Sequence, residues 1–162
     1  MRRQRQSGFS LIELLIVVAI LLILAAVAVP NLLRARMTAN EASAIASMRT
    51  IITSEIVYST TYTVGFSANL PSLGDGGVAA NCLPPQIPAA ASACLIDALL
   101  AGGTKSGYNF SYSAIGGAVN SAYSLNADPV AAVSGQRHFF SDTTHVIRVN
   151  TAAPASASDP AL

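Results

Sequence analysis

Gly8-Phe9-Ser10-Leu11-Ile12-Glu13-Leu14 decides how the rest of this chain is read. A short basic leader precedes it, with Arg2, Arg3 and Arg5 and no acid. An apolar run follows and reaches Val29, interrupted by the single charge of Glu13. Phe9 to Val29 is about 21 residues, enough helix to cross a hydrocarbon layer of ~30 Å. The arginines hold their end in the cytoplasm, so everything after Pro30 is expected on the periplasmic or outer side.

Glu13 is the anomaly in that run. A carboxylate inside a membrane helix costs roughly 2.5–3.5 kcal/mol, so it needs protonation, a partner or a task. The next base after the leader is Arg34, some five helical turns on. If the leader is removed after Gly8, the new α-amino group of Phe9 is a cation one turn before Glu13. In a stack of parallel helices, Glu13 of one subunit reaches the amine of its neighbour. Such a pair in a low-dielectric setting would set axial register.

Two other readings compete for the same stretch. In an ordinary secretory signal, Arg2 to Arg5 form the basic region and Ala26-Val27-Ala28 the cleavage site before Val29. Glu13 would then interrupt the hydrophobic region, which is also longer than the usual 7–15 residues. A plain single-pass anchor leaves both Gly8-Phe9 and Glu13 unexplained. Arg2-Arg3 lacks the surroundings of a twin-arginine signal.

This arrangement of basic leader, Gly8-Phe9, Glu13 and apolar helix resembles the prepilin signature of type IV pilins and type II secretion pseudopilins. The resemblance implies cleavage between Gly8 and Phe9 by a membrane-embedded prepilin peptidase, which also N-methylates Phe9. It gives Glu13 a role in filament assembly and implies an inner-membrane assembly platform as partner. The motif covers the first fifth of the chain.

The 162 residues carry nine basic and eight acidic side chains. Loss of the leader leaves six basic and eight acidic, which is no footprint for nucleic acid. Charged residues are only 10% of the chain, so Ser, Thr and Asn must cover much of the exterior, or neighbouring subunits must.

Pro30 removes one helical hydrogen bond and is expected to kink the helix; pilins commonly carry a proline near this place. From Asn31 to Tyr62 there is no Gly or Pro. Leu33, Met37, Ala44, Met48, Ile52 and Ile56, joined by Ile45 and Ile51, form the expected apolar stripe, with Arg34, Arg36, Glu41, Arg49 and Glu55 mostly off it. The combined helix would extend roughly 80 Å, a filament spine.

Residues 65 to about 107 read as a long connection rich in Gly and Pro, with a short helix expected at Ala93–Leu100. Cys82 and Cys94 are the candidate disulfide of an exported chain, free thiols being the alternative. Many pilins place theirs nearer the C-terminus. From Tyr108 onward residues alternate: Tyr108, Phe110 and Tyr112 share a face, Ala122–Ala127 is a second strand, and His138–Ser141 with Val146–Asn150 form a hairpin.

Ser106 to Phe110, Ala127-Asp128-Pro129, Gly135 to Asp142 and Val146-Ile147-Arg148 also resemble the soluble part of the major type II secretion pseudopilin, with His145 where a Gly is common. Some relatives bind calcium in this region, which makes Asp128 and Asp142 the calcium candidates. His138, Asp142 and His145 are read as polar turn residues, and no cofactor or catalytic cluster is expected. The tail Thr151–Leu162, rich in Ala, Ser and Pro, is expected to be flexible.

The expected fold is α+β and pilin-like: a long N-terminal helix, half membrane-type and half amphipathic, against an antiparallel sheet of three to four strands. Its segments are leader 1–8, membrane or filament-core helix 9–30, head 31–150 (helix 31–62, loop 63–107, sheet 108–150) and tail 151–162. The expected function is a structural subunit, stored in the inner membrane with its N-terminus in the cytoplasm. It then polymerises with itself and minor pilins into a pilus or pseudopilus. A minor pilin used for adhesion or DNA uptake is the alternative. With Lys105, Arg137 and Arg148 as the bases of the head beyond its helix, DNA affinity would be weak and salt-sensitive.

Overall fold

The computed structural model describes residues 9–117 and 119–162, so Gly8 and the leader arginines lie outside the described residues. The chain divides into two compact units, Met1–Arg36 and Met37–Leu162. Helix α1 runs Leu11–Tyr62 with Pro30 inside it. In the first unit every described residue from Phe9 to Arg36 is exposed. That includes residues 31–36, which the sequence assigned to the head.

In the second unit α1 supplies one wall of the core and a sheet supplies the other. Strands β1 (Thr104–Lys105), β2 (Tyr108–Gly116), β3 (Asn120–Pro129), β4 (His138–Asp142) and β5 (Arg148–Asn150) form an antiparallel meander in that order. Alternation decides which side chains point inward. Tyr108 and Phe110 of β2, Tyr123, Leu125 and Ala127 of β3, and Phe139 of β4 are buried. They meet Ala44, Met48, Ile51 and Tyr58 of α1 in one cluster. The fifth strand beyond the expected three or four is β1, too short to show as alternation.

The buried face of α1 differs from the predicted stripe. Ala44, Met48, Ile51 and Ile52 of that stripe are buried, joined by Glu41, Glu55 and Tyr58, while Leu33 and Ile56 are exposed. The reason is angular. Steps of four residues rotate a helical stripe by about 40° each, so a run from Ala44 to Ile56 drifts off the face. Alternating steps of three and four stay on it. The two glutamates sit on the inward face because the head supplies their partners.

The connection between α1 and β1 is built up from short pieces. Helix α2 (Leu70–Leu73) starts where the Asn69 side chain accepts the Ser72 N–H. A single 3-10 turn covers Ala79–Cys82. Helix α3 is only Ala98–Ala101, capped by Asp97, and so shorter than the predicted Ala93–Leu100. The residues before it are not helical: Cys94 has φ +56°, Ala93 N bonds Ser72 O and Leu95 N bonds Leu73 O. Gly65 has φ +82°, and a Cβ there would stand 2.3 Å from the Asn120 carbonyl. That contact, with Phe66 N on Asn120 O at 2.9 Å, ties the end of α1 to the start of β3.

The tail is a correction to the sequence reading. Residues 155–162 return to the sheet: Ala155 is buried, its carbonyl accepts Asn126 Nδ2, and Arg148 donates to the Asp159 carbonyl. Val149 N bonds Pro160 O and Leu162 N bonds Ile147 O. The edge of β5 supplies unpaired backbone groups that composition cannot reveal, and the tail satisfies them.

Candidate functional site

Helix α1 begins just after Phe9, a residue 73% exposed. Leu14 N makes the first helical bond, to Ser10 O at 3.2 Å, and the Glu13 carboxylate turns back to accept Ser10 N–H at 3.4 Å. Ser10-Leu11-Ile12-Glu13 therefore has the spacing of a capping box, with Glu13 at the third helical position. The positive end of the helix dipole adds to the same preference. This role of Glu13 was readable from the S-x-x-E pattern alone. A free amine on Phe9 would lie one residue before the capped N–H, so the carboxylate is held at the N-terminal end of its own helix.

Pro30 stands inside α1, and the Asn31 side chain donates to the Val27 carbonyl at 3.1 Å. α1 contains one stretch long and apolar enough to cross a membrane.

In the head, two carboxylates of α1 hold the loops that follow. Glu41 accepts Gln136 N at 2.9 Å and Arg137 Nε at 2.7 Å. Burial alone would raise its carboxyl, but these donors outweigh burial and hold it below the ordinary value. Asn40 and Ser43 add bonds to Ser134 O and Ser106 Oγ. One turn of α1 is thus tied to two loops.

Glu55 is fully buried and accepts both the Ser67 N–H at 3.0 Å and the Ser67 hydroxyl at 2.5 Å. Tyr112 donates to the Ser67 carbonyl and stacks on Tyr123. Burial pushes both phenols upward, and the nearby Glu55 charge adds to it. Neither phenol ionises at neutral pH, so this cluster orders the loop rather than moving protons. Sequence reading placed Glu41 and Glu55 off the stripe and missed both roles. Spacing of 14 residues, four near-whole turns, is the signal that they share a face.

Cys82 and Cys94 are joined in a disulfide. Asp128 and Asp142 do not share a site. Asp142 lies across from Ser124, four residues from Asp128 along β3. Asp128 pairs with His138 Nδ1 at 2.6 Å, while Asp142 caps Thr144 through its N–H and hydroxyl. Among the described residues no three His, Cys, Asp or Glu side chains gather as metal ligands.

Residues 3–29 match the family described as the prokaryotic N-terminal methylation motif. The chain is also 41% identical, over 101 residues, to the type IV wide pilus major component PilA4 of Thermus thermophilus. That alignment covers 60% of this chain and 76% of the relative, well beyond the N-terminal motif. The chain belongs to the type IV pilin family. No solved structure matches this pilin. Its α+β architecture, a long N-terminal helix against an antiparallel sheet, is that of a pilin, and the family implies self-assembly into filaments.

Proposed function

We propose that this pilin is made as a precursor, cut between Gly8 and Phe9, methylated on the Phe9 amine and polymerised through the first half of α1 into a surface pilus. The observation that carries the reading is the apolar helix of residues 11–33, wholly exposed and carrying one carboxylate at its start. Exposed apolar surface on this scale demands lipid before assembly and other helices afterwards. Glu13 then exchanges its own Ser10 N–H for the amine of a neighbouring subunit, which costs little because the geometry already points to the helix start. Pro30 supplies the place where the helix can bend or open in the filament. A prepilin peptidase, an inner-membrane platform and minor pilins are the partners this route needs.

The match to a wide-pilus major component over three quarters of its length favours a pilus subunit. A type II secretion pseudopilus is the second reading, favoured by the resemblance of Ser106–Phe110 and Gly135–Asp142 to the major pseudopilin. Mass spectrometry of sheared surface material tests both. N-methylated Phe9 at the mature terminus in that fraction is the expected result. The same terminus confined to membranes and periplasm would favour the pseudopilus, and a chain starting at Val29 would overturn prepilin processing.

A further inference from the structure

Two surfaces of the head are left unmatched among the described residues. The first is the disulfide-closed loop. From Gly76 to Ile96 there is no charged residue, and Val78, Leu83 and Ile87 stand out from it, Ile87 at 86% exposure. The loop is nonetheless ordered: Asn81 Nδ2 holds the Asp75 carbonyl and the disulfide closes the base. At its root the Asp75 carboxylate accepts Gly77 N–H and makes no ion pair among the described residues.

The second surface is the outer flank of α1. Two adjoining grooves of about 390 and 460 Å³ meet at Arg49 and Thr53. Their apolar walls include Ile52, Val57, Leu95 and Ile147. Arg49 is exposed and has no ion-pair partner among the described residues. By contrast Lys105 pairs with Asp97, Arg137 with Glu41, and Arg148 bonds the Asp159 carbonyl.

A helical filament needs a heterologous contact, in which one patch of each copy meets a different patch of the next. We infer that the Cys82–Cys94 loop of one copy seats on the Arg49 flank of α1 in a second copy, with Asp75 of the first facing Arg49 of the second. Apolar side chains meet the apolar walls of the grooves, and an acid and a base that make no ion pair among the described residues meet each other. The ion pair, being near the surface, contributes register and selectivity more than affinity. This contact between heads rests on the filament reading above and is separate from the contact made through Glu13.

The test uses the full chain assembled into filaments. Arg49→Glu and Asp75→Arg each place like charges across the contact, and about a tenfold drop in sheared filament is expected from either. The double substitution restores the opposite pairing and is expected to recover yield to within about threefold. Both positions are exposed or partly so, and the melting of the detergent-solubilised subunit serves as the folding control. Filaments of Arg49→Lys, half of them isotopically labelled, are treated with a carbodiimide. A mixed-label cross-link between position 49 and Asp75 is expected. Unchanged yield in both single variants, or a cross-link found only within one label, would overturn the contact while leaving assembly through Glu13 standing. Absence of filaments from the unsubstituted chain, with Phe9 unmethylated, would overturn the filament reading and this contact with it.

Discussion

From Leu11 to Leu33 every residue of α1 is exposed, and nearly all are Leu, Ile, Val or Ala. From Glu41 to Tyr58 the same helix buries nine residues, four of them polar or charged, Glu41, Ser47, Ser54 and Glu55, while Tyr58 bonds Ala90 O through its hydroxyl. The first half is apolar all round and packs against none of the described residues, the pattern of a helix meant for lipid or for other helices. The second half is mixed and finds its partners in its own head. Full burial of a Leu or Ile is worth about 1.5–3 kcal/mol, so the first half carries a driving force of tens of kcal/mol that only assembly or a bilayer releases. The two acids make the same contrast. Glu55 has two donors from Ser67 in the loop after the helix; among the described residues Glu13 has one long bond, to Ser10 N–H, and capacity to spare.

The largest effect should come from Glu13→Ala. Filament recovery in sheared material is expected to fall by at least about tenfold, through loss of the intersubunit pair, while circular dichroism melting of the head stays where it was. A shifted head transition would show that the two halves are not independent in this respect. Next in size is the double change Cys82→Ser with Cys94→Ser. Opening a loop of this length should lower unfolding free energy by about 3 kcal/mol in denaturant titrations. No change would mean that the hydrogen bonds of Asn81 and Cys94 already fix the loop.

Glu55→Ala comes third, at about 2 kcal/mol, because it strands the Ser67 N–H in the core and leaves the Ser67 hydroxyl only its longer bond to the Asn69 carbonyl. Glu55→Gln keeps one acceptor and should lose less. Equal losses in both variants would make the negative charge, and not the hydrogen bonds, the important feature. The smallest effect is the acid limb of stability. The Glu41 carboxyl is held below its ordinary value of 4.5, so its contribution is complete above that pH and is lost as pH falls through the lower folded value. Glu41→Gln should flatten this part of the melting-temperature profile below pH 4.5. A profile identical to that of the unsubstituted chain would remove Glu41 from the account.

Much of this was legible in the residues. Gly8-Phe9, Glu13 and the apolar run after them are local signals, and their meaning needs no distant contact. The alternation Tyr108, Phe110, Tyr112 likewise fixes a strand and its inward face, because a pleated backbone allows no other period. The stripe on α1 was right at Ala44, Met48, Ile51 and Ile52 and drifted off the face at Ile56. The correct face, Ala44-Met48-Ile51-Glu55-Tyr58, includes acids that only the head makes acceptable. The calcium candidates failed to meet for a similar reason: proximity in sequence says little until strand register is known, and register put Asp128 beside His138.

The sequence by itself determined that one end of the chain is an apolar helix with a single carboxylate, and that a strand-rich head follows. Helical period, strand period and membrane length are properties of the local chain, so they are written in it. Tertiary structure alone decided that Glu41 and Glu55 face inward, that residues 155–162 cover the edge of β5, and that Arg49 and Asp75 make no ion pair among the described residues. Each of these depends on which distant backbone groups come within hydrogen-bonding reach, a matter of packing that no local pattern records.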